Sequence, residues 1–126
     1  MRKSPKPNSP EPRKDLSRKA LGDYGEGLVA RWYETRGYQV LDRQWRCPGG
    51  ELDLVVSRGD LVVFCEVKTR KSLDFGGAEV VGWAKQGRLR RAAAAYLSSR
   101  DGFVPEVRFD VAVVCNSRVD VIEEAF

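Results

Sequence analysis

Two apolar runs around one tight turn constrain this chain more than any other feature. Glu51-Leu-Asp-Leu-Val-Val56 and Leu61-Val-Val-Phe-Cys-Glu-Val-Lys68 flank Ser57-Arg58-Gly59-Asp60, a pattern that reads as a β-hairpin. Whether the loop is the two residues Arg58-Gly59 or the four residues 57–60, Asp53 is expected opposite Phe64 and Glu51 opposite Glu66. Strand side chains alternate, so Glu51, Asp53, Phe64, Glu66 and Lys68 fall on one face of the sheet. Leu52, Leu54, Val56, Val63, Cys65 and Val67 fall on the other, which is uniformly apolar and is expected to be core.

Three acids on one face of paired strands repel one another, and something must offset the repulsion. Lys68 supplies one positive charge two residues from Glu66. A divalent cation would supply two more, and hard oxygen ligands suit magnesium or manganese, which take one or two protein carboxylates, several waters and substrate phosphate. The alternative on spacing alone is a solvated polar face with an incidental Glu-Lys pair, which antiparallel sheets commonly carry.

The rest of the chain supplies a framework for the hairpin. Residues 1–20 hold Pro5, Pro7, Pro10 and Pro12 among Lys, Arg and Ser, and read as a flexible basic arm preceding a single domain over 21–126. Leu21 to about Arg36 reads as a helix with Leu21, Gly25, Leu28 and Trp32 on one face, Glu26 at the edge of that face, and Gly37 in the C-terminal capping position. Tyr38 to Trp45 reads as a strand, residues 69–77 as a loop, and Trp83 to Ser99 as a second helix with Leu89, Ala92, Ala93, Tyr96 and Leu97 inward. Val107, Phe109, Val111 and Val113 alternate as a further strand, and Val119 to Ile122 as a short last one. The order α-β-β-β-α-β, with a crossover helix between the third strand and a parallel fourth, predicts an α/β fold: a mixed sheet flanked by helices. Trp32, Trp45 and Trp83 are expected in the core, and Asp110 as the partner of a nearby arginine such as Arg108.

The chain contains no histidine. Ser-His-Asp and Cys-His catalysis, HExxH zinc chemistry and histidine-ligated haem are thereby excluded. Cys47, Cys65 and Cys115 are odd in number and widely spaced, which fits a reducing, cytoplasmic setting better than a disulfide framework. No apolar run is long enough to span a bilayer. The formal net charge of +4 is unevenly distributed: residues 1–20 carry seven Lys/Arg against two acids, and Lys68 to Arg91 again seven against two. Lys85, Arg88 and Arg91 recur at three-residue spacing on the second helix. With Arg70 and Lys71 they form a candidate rim for a phosphate backbone, against the alternative of a solvated charged face.

Asp53, then twelve residues, then Glu66-Val67-Lys68, preceded by a helix bearing Glu26, resembles the PD-(D/E)xK nuclease arrangement, with Leu52 where the motif name has proline. More specifically, GDYGEGLVARWYETRGYQVL, GELDLVV, LVVFCEVKTR, KQGRLRRAAAAYL and RFDVAVV resemble, in order, successive blocks of the YraN family of bacterial proteins. That family is assigned to the restriction-endonuclease-like fold, near archaeal Holliday-junction resolvases. The resemblance covers roughly residues 20–126. It implies a restriction-endonuclease-like core, a magnesium (or manganese) site on Glu26, Asp53 and Glu66, catalysis by Asp53, Glu66 and Lys68, and an auxiliary role for Glu51.

The resulting expectation is a magnesium-dependent endonuclease acting on DNA, branched or structured DNA in particular, with nucleic acid and not a membrane as partner. Resolvase relatives act as dimers because a junction presents two symmetric strands, so the resemblance also implies a homodimer. Two alternatives stand beside this reading: a non-catalytic nucleic-acid-binding module that retains the fold, and a metal-stabilised interaction domain with no nucleic-acid role.

Overall fold

In a computed structural model, which describes residues 13–70, 81–100 and 105–126, the elements run α1 (Arg13–Glu34), β1 (Gln39–Cys47), β2 (Gly50–Arg58), β3 (Leu61–Arg70), α2 (Trp83–Ser98), β4 (Glu106–Cys115) and β5 (Arg118–Ile122). The five strands form one sheet in the order β1-β2-β3-β4-β5. Only β3 and β4, joined through α2, are parallel; the other neighbours are antiparallel. The fold is therefore the expected α/β architecture, a mixed sheet with a helix on each face. Helix α1 begins at Arg13, inside the segment read as an arm. Pro12 is the last proline of that segment, and a helix tolerates proline only in its first turn, so a helix can begin directly after it. Residues 1–12 lie outside the described residues.

The hairpin forms, with a register different from the expected one. Arg58 pairs with Leu61, so the loop is Gly59-Asp60, and Val55, not Asp53, faces Phe64. Gly59 has φ +61° at the first loop position, where a type II′ turn requires glycine. The slip is two residues, and a two-residue slip leaves every side chain on its expected face. Its consequence is positional: the last ladder pair is Leu54 with Cys65, and one step beyond it Asp53 comes beside Glu66.

Both faces of the sheet are buried, each beneath its own helix. On the α2 side, Val55, Val62, Phe64, Phe109 and Val111 pack with Leu89, Ala92, Ala93 and Tyr96. On the α1 side, Leu54, Val56, Val63, Cys65, Ala112 and Val114 pack with Val29, Ala30 and Tyr33. Each fully buried Val or Leu contributes about 1.5–3 kcal/mol by leaving water. Leu52 departs from expectation, joining the α2-side cluster and pairing with Trp45 instead of sharing the side of Leu54. The alternation breaks at Asp53, beyond the end of the β2–β3 ladder.

The buried stripe of α1 also differs from the one read from apolar spacing. Gly25, Glu26, Val29, Ala30 and Tyr33 are buried, while Leu21 is exposed and Leu28 and Trp32 lie at the margin. At 100° per residue this stripe is rotated by about 100°, which puts Glu26 well inside it. Two contacts account for the rotation. A Cβ on Gly25 would lie 2.6 Å from Thr69 Oγ1, so the helix approaches β3 at a position without a side chain. The Tyr33 hydroxyl donates to Asp110 Oδ2 at 2.6 Å. The stripe read from the sequence contains Gly25 but not Tyr33, whose hydroxyl partner lies on β4.

Asp110 is fully buried and accounts for itself as a structural hub, as its arginine neighbour suggested. Arg108 donates to both of its oxygens, at 2.8 and 3.0 Å, and the Glu124 backbone N–H donates at 3.1 Å. Trp83 is the correction among the tryptophans: it is 89% exposed at the first position of α2, whereas Trp32 and Trp45 pack against the core. Among the described residues, no helix is long and apolar enough to cross a membrane.

Candidate functional site

Asp53 on β2 and Glu66 on β3 line one open pocket of about 410 Å³, together with Arg46, Glu51, Lys85 and Arg88. The start of β2 runs close under α2, since a Cβ on Gly50 would lie 3.5 Å from Ala92 Cβ. That proximity brings the first turns of α2 over the two carboxylates.

Glu66 is only 7% exposed and is held by two lysines. Lys85 Nζ, reaching in from α2, lies 2.5 Å from Glu66 Oε2, and Lys68 Nζ lies 3.9 Å from the same oxygen. Asp53 Oδ2 accepts the Val67 N–H at 2.9 Å. Burial, reinforced by the charge of Glu66 and opposed by that hydrogen bond, pushes the Asp53 carboxyl up to about 7. Asp53 is thus the acid of the pocket whose charge is least compensated, whereas Glu66 has its two lysines and Glu51 has Arg46.

Glu26 reaches this neighbourhood from α1, the helix on the opposite side of the sheet from α2. It accepts a hydrogen bond from Gln44 Nε2 at 3.1 Å and lies 3.8 Å from Arg43. Burial raises its carboxyl above the ordinary range, against the pull of Gln44 and Arg43. Gln44 also donates to Asp23 Oδ1 at 2.9 Å and takes φ +50°, an uncommon backbone conformation for a non-glycine residue. Glu51 is exposed and paired with Arg46 at 3.2 Å.

A magnesium or manganese ion is implied by the resemblance, and the donor set can be tested against it. Among the described residues, no group of three or more acidic or cysteine side chains is placed to hold a metal ion. The set Glu26, Asp53 and Glu66 is thus not closed around one point, because Glu26 is engaged with Gln44 and comes from the opposite layer. Asp53 and Glu66 alone do fit a hard cation: two oxygen donors in one pocket match an ion that takes one or two carboxylates and keeps its waters.

The basic rim is only partly assembled at this pocket. Lys85 and Arg88 line it. Arg91 is exposed on the same helix, its guanidinium 3.4 Å from where a Gly87 Cβ would stand. Arg70 lines a different surface, with Leu21, Tyr24 and Asn116, and Lys71 lies outside the described residues. Tyr33 is committed to Asp110, and Tyr24 lies 3.4 Å from Ser117. Sequence reasoning missed Gln44, for which no signal exists, and the direct engagement of Lys85 with Glu66. The Lys-x-x-Arg at the start of a helix following the Glu66-Val-Lys68 strand was the available pointer to the latter.

The profile of "Uncharacterised protein family UPF0102" matches residues 25–114. The chain is 51% identical over 100 residues to a UPF0102 protein of Beutenbergia cavernae, covering 79% of this chain and 85% of that one. It is 46% identical over 113 residues to one of Frankia casuarinae, covering 85% and 96%. It is 36% identical over 104 residues to one of Dictyoglomus thermophilum, covering 82% and 88%. The chain belongs to the UPF0102 family, the YraN family whose sequence blocks it resembles.

Proposed function

We propose that this UPF0102 protein is a divalent-metal-dependent endonuclease acting on DNA, branched or otherwise structured DNA in particular. One observation carries the reading: Asp53 and Glu66 share a pocket whose rim is Lys85 and Arg88, with Lys68 beside Glu66. Magnesium held by Asp53 and Glu66 would lower the pKa of a bound water and neutralise charge building on the scissile phosphate. The chain's own groups supply the rest. Lys68 Nζ presents a positive charge beside the reacting phosphate and orients the attacking water. Lys85 and Arg88 hold the phosphate backbone over the pocket, a positioning role that carries no sequence information. No histidine is needed for this chemistry.

The second reading is a nucleic-acid-binding module that retains the fold. It is favoured by the close Lys85–Glu66 pair, which already neutralises one acid, and by the fact that no three carboxylates among the described residues close around one point. A nuclease assay with Mg²⁺ or Mn²⁺ against linear, single-stranded, flapped and four-way DNA, beside a Glu66→Ala control, separates the two. Cleavage that Glu66→Ala abolishes supports the enzyme. Metal-independent DNA binding without cleavage supports the module.

A further inference from the structure

The two lysines on Glu66 are not equivalent. Lys68 lies on the same strand as Glu66, two residues away, at 3.9 Å. Lys85 comes from a different element and makes the closer contact, 2.5 Å, while its side chain remains 40% exposed. A buried carboxylate beside Asp53 needs a counter-charge, and in the protein without metal the nearest one is this ammonium. Lys85 therefore stands against an oxygen that a divalent cation on Asp53 and Glu66 would need. An oxygen facing a bound divalent cation attracts an ammonium less, since the two positive charges repel across a few ångströms. Lys85 lines the pocket together with Arg88, and a lysine stem has enough rotatable bonds to swing its head from one partner to another.

We propose that Lys85 is an exchangeable counter-ion: it occupies Glu66 until a divalent cation displaces it, and the freed ammonium then binds the phosphate backbone. The inference rests on the metal-site reading above and deepens it. It assigns Lys85 two opposed effects. As a competitor it weakens metal binding, and as a released cation it adds one phosphate contact only when metal is present. A lysine that merely braced α2 against β3 would do neither. A fixed phosphate-binding lysine would contribute to DNA binding with and without metal alike.

The test is calorimetric titration of the full chain with Mn²⁺, in wild type, Lys85→Met, Arg88→Met and Asp53→Asn. Arg88→Met removes the same charge from the same pocket without releasing Glu66, so it measures the general field alone. Lys85→Met should bind Mn²⁺ about tenfold or more tightly than wild type, and Arg88→Met should gain clearly less. A companion measurement follows the salt dependence of binding to a short DNA duplex by anisotropy, in Ca²⁺ and in EDTA. One phosphate contact contributes about 0.9 to the slope of log affinity against log salt concentration. Wild type should exceed Lys85→Met by about that amount in Ca²⁺ and match it in EDTA.

Mn²⁺ binding that Asp53→Asn abolishes, with equal or weaker affinity in Lys85→Met, overturns the counter-ion exchange and leaves the metal site standing. Equal tightening in Arg88→Met likewise overturns it, because the general field then accounts for the gain. A slope difference of similar size in Ca²⁺ and EDTA overturns the release step. No Mn²⁺ binding in any of the proteins overturns the metal site and the exchange together.

Discussion

Replacing Asp53 by asparagine should make the metal-free protein more stable at pH 8 while removing its response to magnesium. The carboxyl ordinarily ionises near 3.8, and in the folded pocket near 7, with burial the largest cause and Glu66 the next. The unfolded chain thus releases this proton early and the folded protein late. Between those values the folded state holds the extra proton, so stability falls as pH rises from about 4 to about 7 and levels off above. The interval is about three pH units at about 1.4 kcal/mol each, so ionised Asp53 costs the metal-free fold at most about 4 kcal/mol. An asparagine oxygen can still accept the Val67 N–H, but its amide protons need partners in a half-buried site, a cost of about 1–2 kcal/mol. The expected net gain at pH 8 is about 2 kcal/mol. For a chain of 126 residues this is roughly 8 °C in Tm. The assay is thermal unfolding of both proteins in EDTA at pH 5 and pH 8, repeated with magnesium. At pH 5 the two should melt within a few degrees of each other, and at pH 8 the variant should melt higher. Magnesium should raise the Tm of wild type only. A variant that melts at or below wild type at pH 8 in EDTA, or that keeps the same pH dependence, refutes the argument.

Lys68→Arg should fold and bind DNA as wild type does, yet cleave on the order of a hundredfold more slowly, because guanidinium holds its proton and differs in shape; equal rates at matched purity would remove Lys68 from the chemistry. Gly25→Val should lower stability by about 1–3 kcal/mol in urea unfolding, since α1 must move off Thr69; an unchanged midpoint would show that Thr69 yields instead. Asp110→Ala should cost about 3–5 kcal/mol by removing the buried carboxylate that the Tyr33 hydroxyl, the half-buried Arg108 and the Glu124 N–H share, a loss that urea titration at pH 7 measures directly. Trp83→Ala should leave stability within about 0.5 kcal/mol, because the ring is exposed; a large loss would mean that it packs in solution.

How far the sequence carried the fold is best seen in the two helices. The α2 boundaries and inward residues Leu89, Ala92, Ala93 and Tyr96 were readable because that helix buries only apolar side chains on a simple stripe. The orientation of α1 was not readable, because its buried face includes Gly25, Glu26 and Tyr33, whose neighbours lie on three different strands, β3, β1 and β4. The hairpin shows the same division. Alternation was enough to group Asp53 and Glu66 on one side, but their adjacency depended on whether Gly59 opens or closes the two-residue loop. A Gly-Asp pair is itself a known loop signal. The rim was least legible, since residues that share a run in the chain, Lys85 and Arg70, are delivered to different surfaces by a strand end and a helix start.

The sheet separates two packing layers that barely share a side chain, and the candidate site draws on both. Glu26 is anchored in the α1 layer, Lys85 in the α2 layer, and Asp53 and Glu66 in the sheet between them. Substitutions in one layer are thus thermodynamically insulated from those in the other, and their stability costs should add. The site has no such insulation. A slight settling of either helix, too small to unfold anything, alters the spacing between groups whose interactions depend steeply on distance. A loosened layer would therefore register in the proposed activity before it registered in melting.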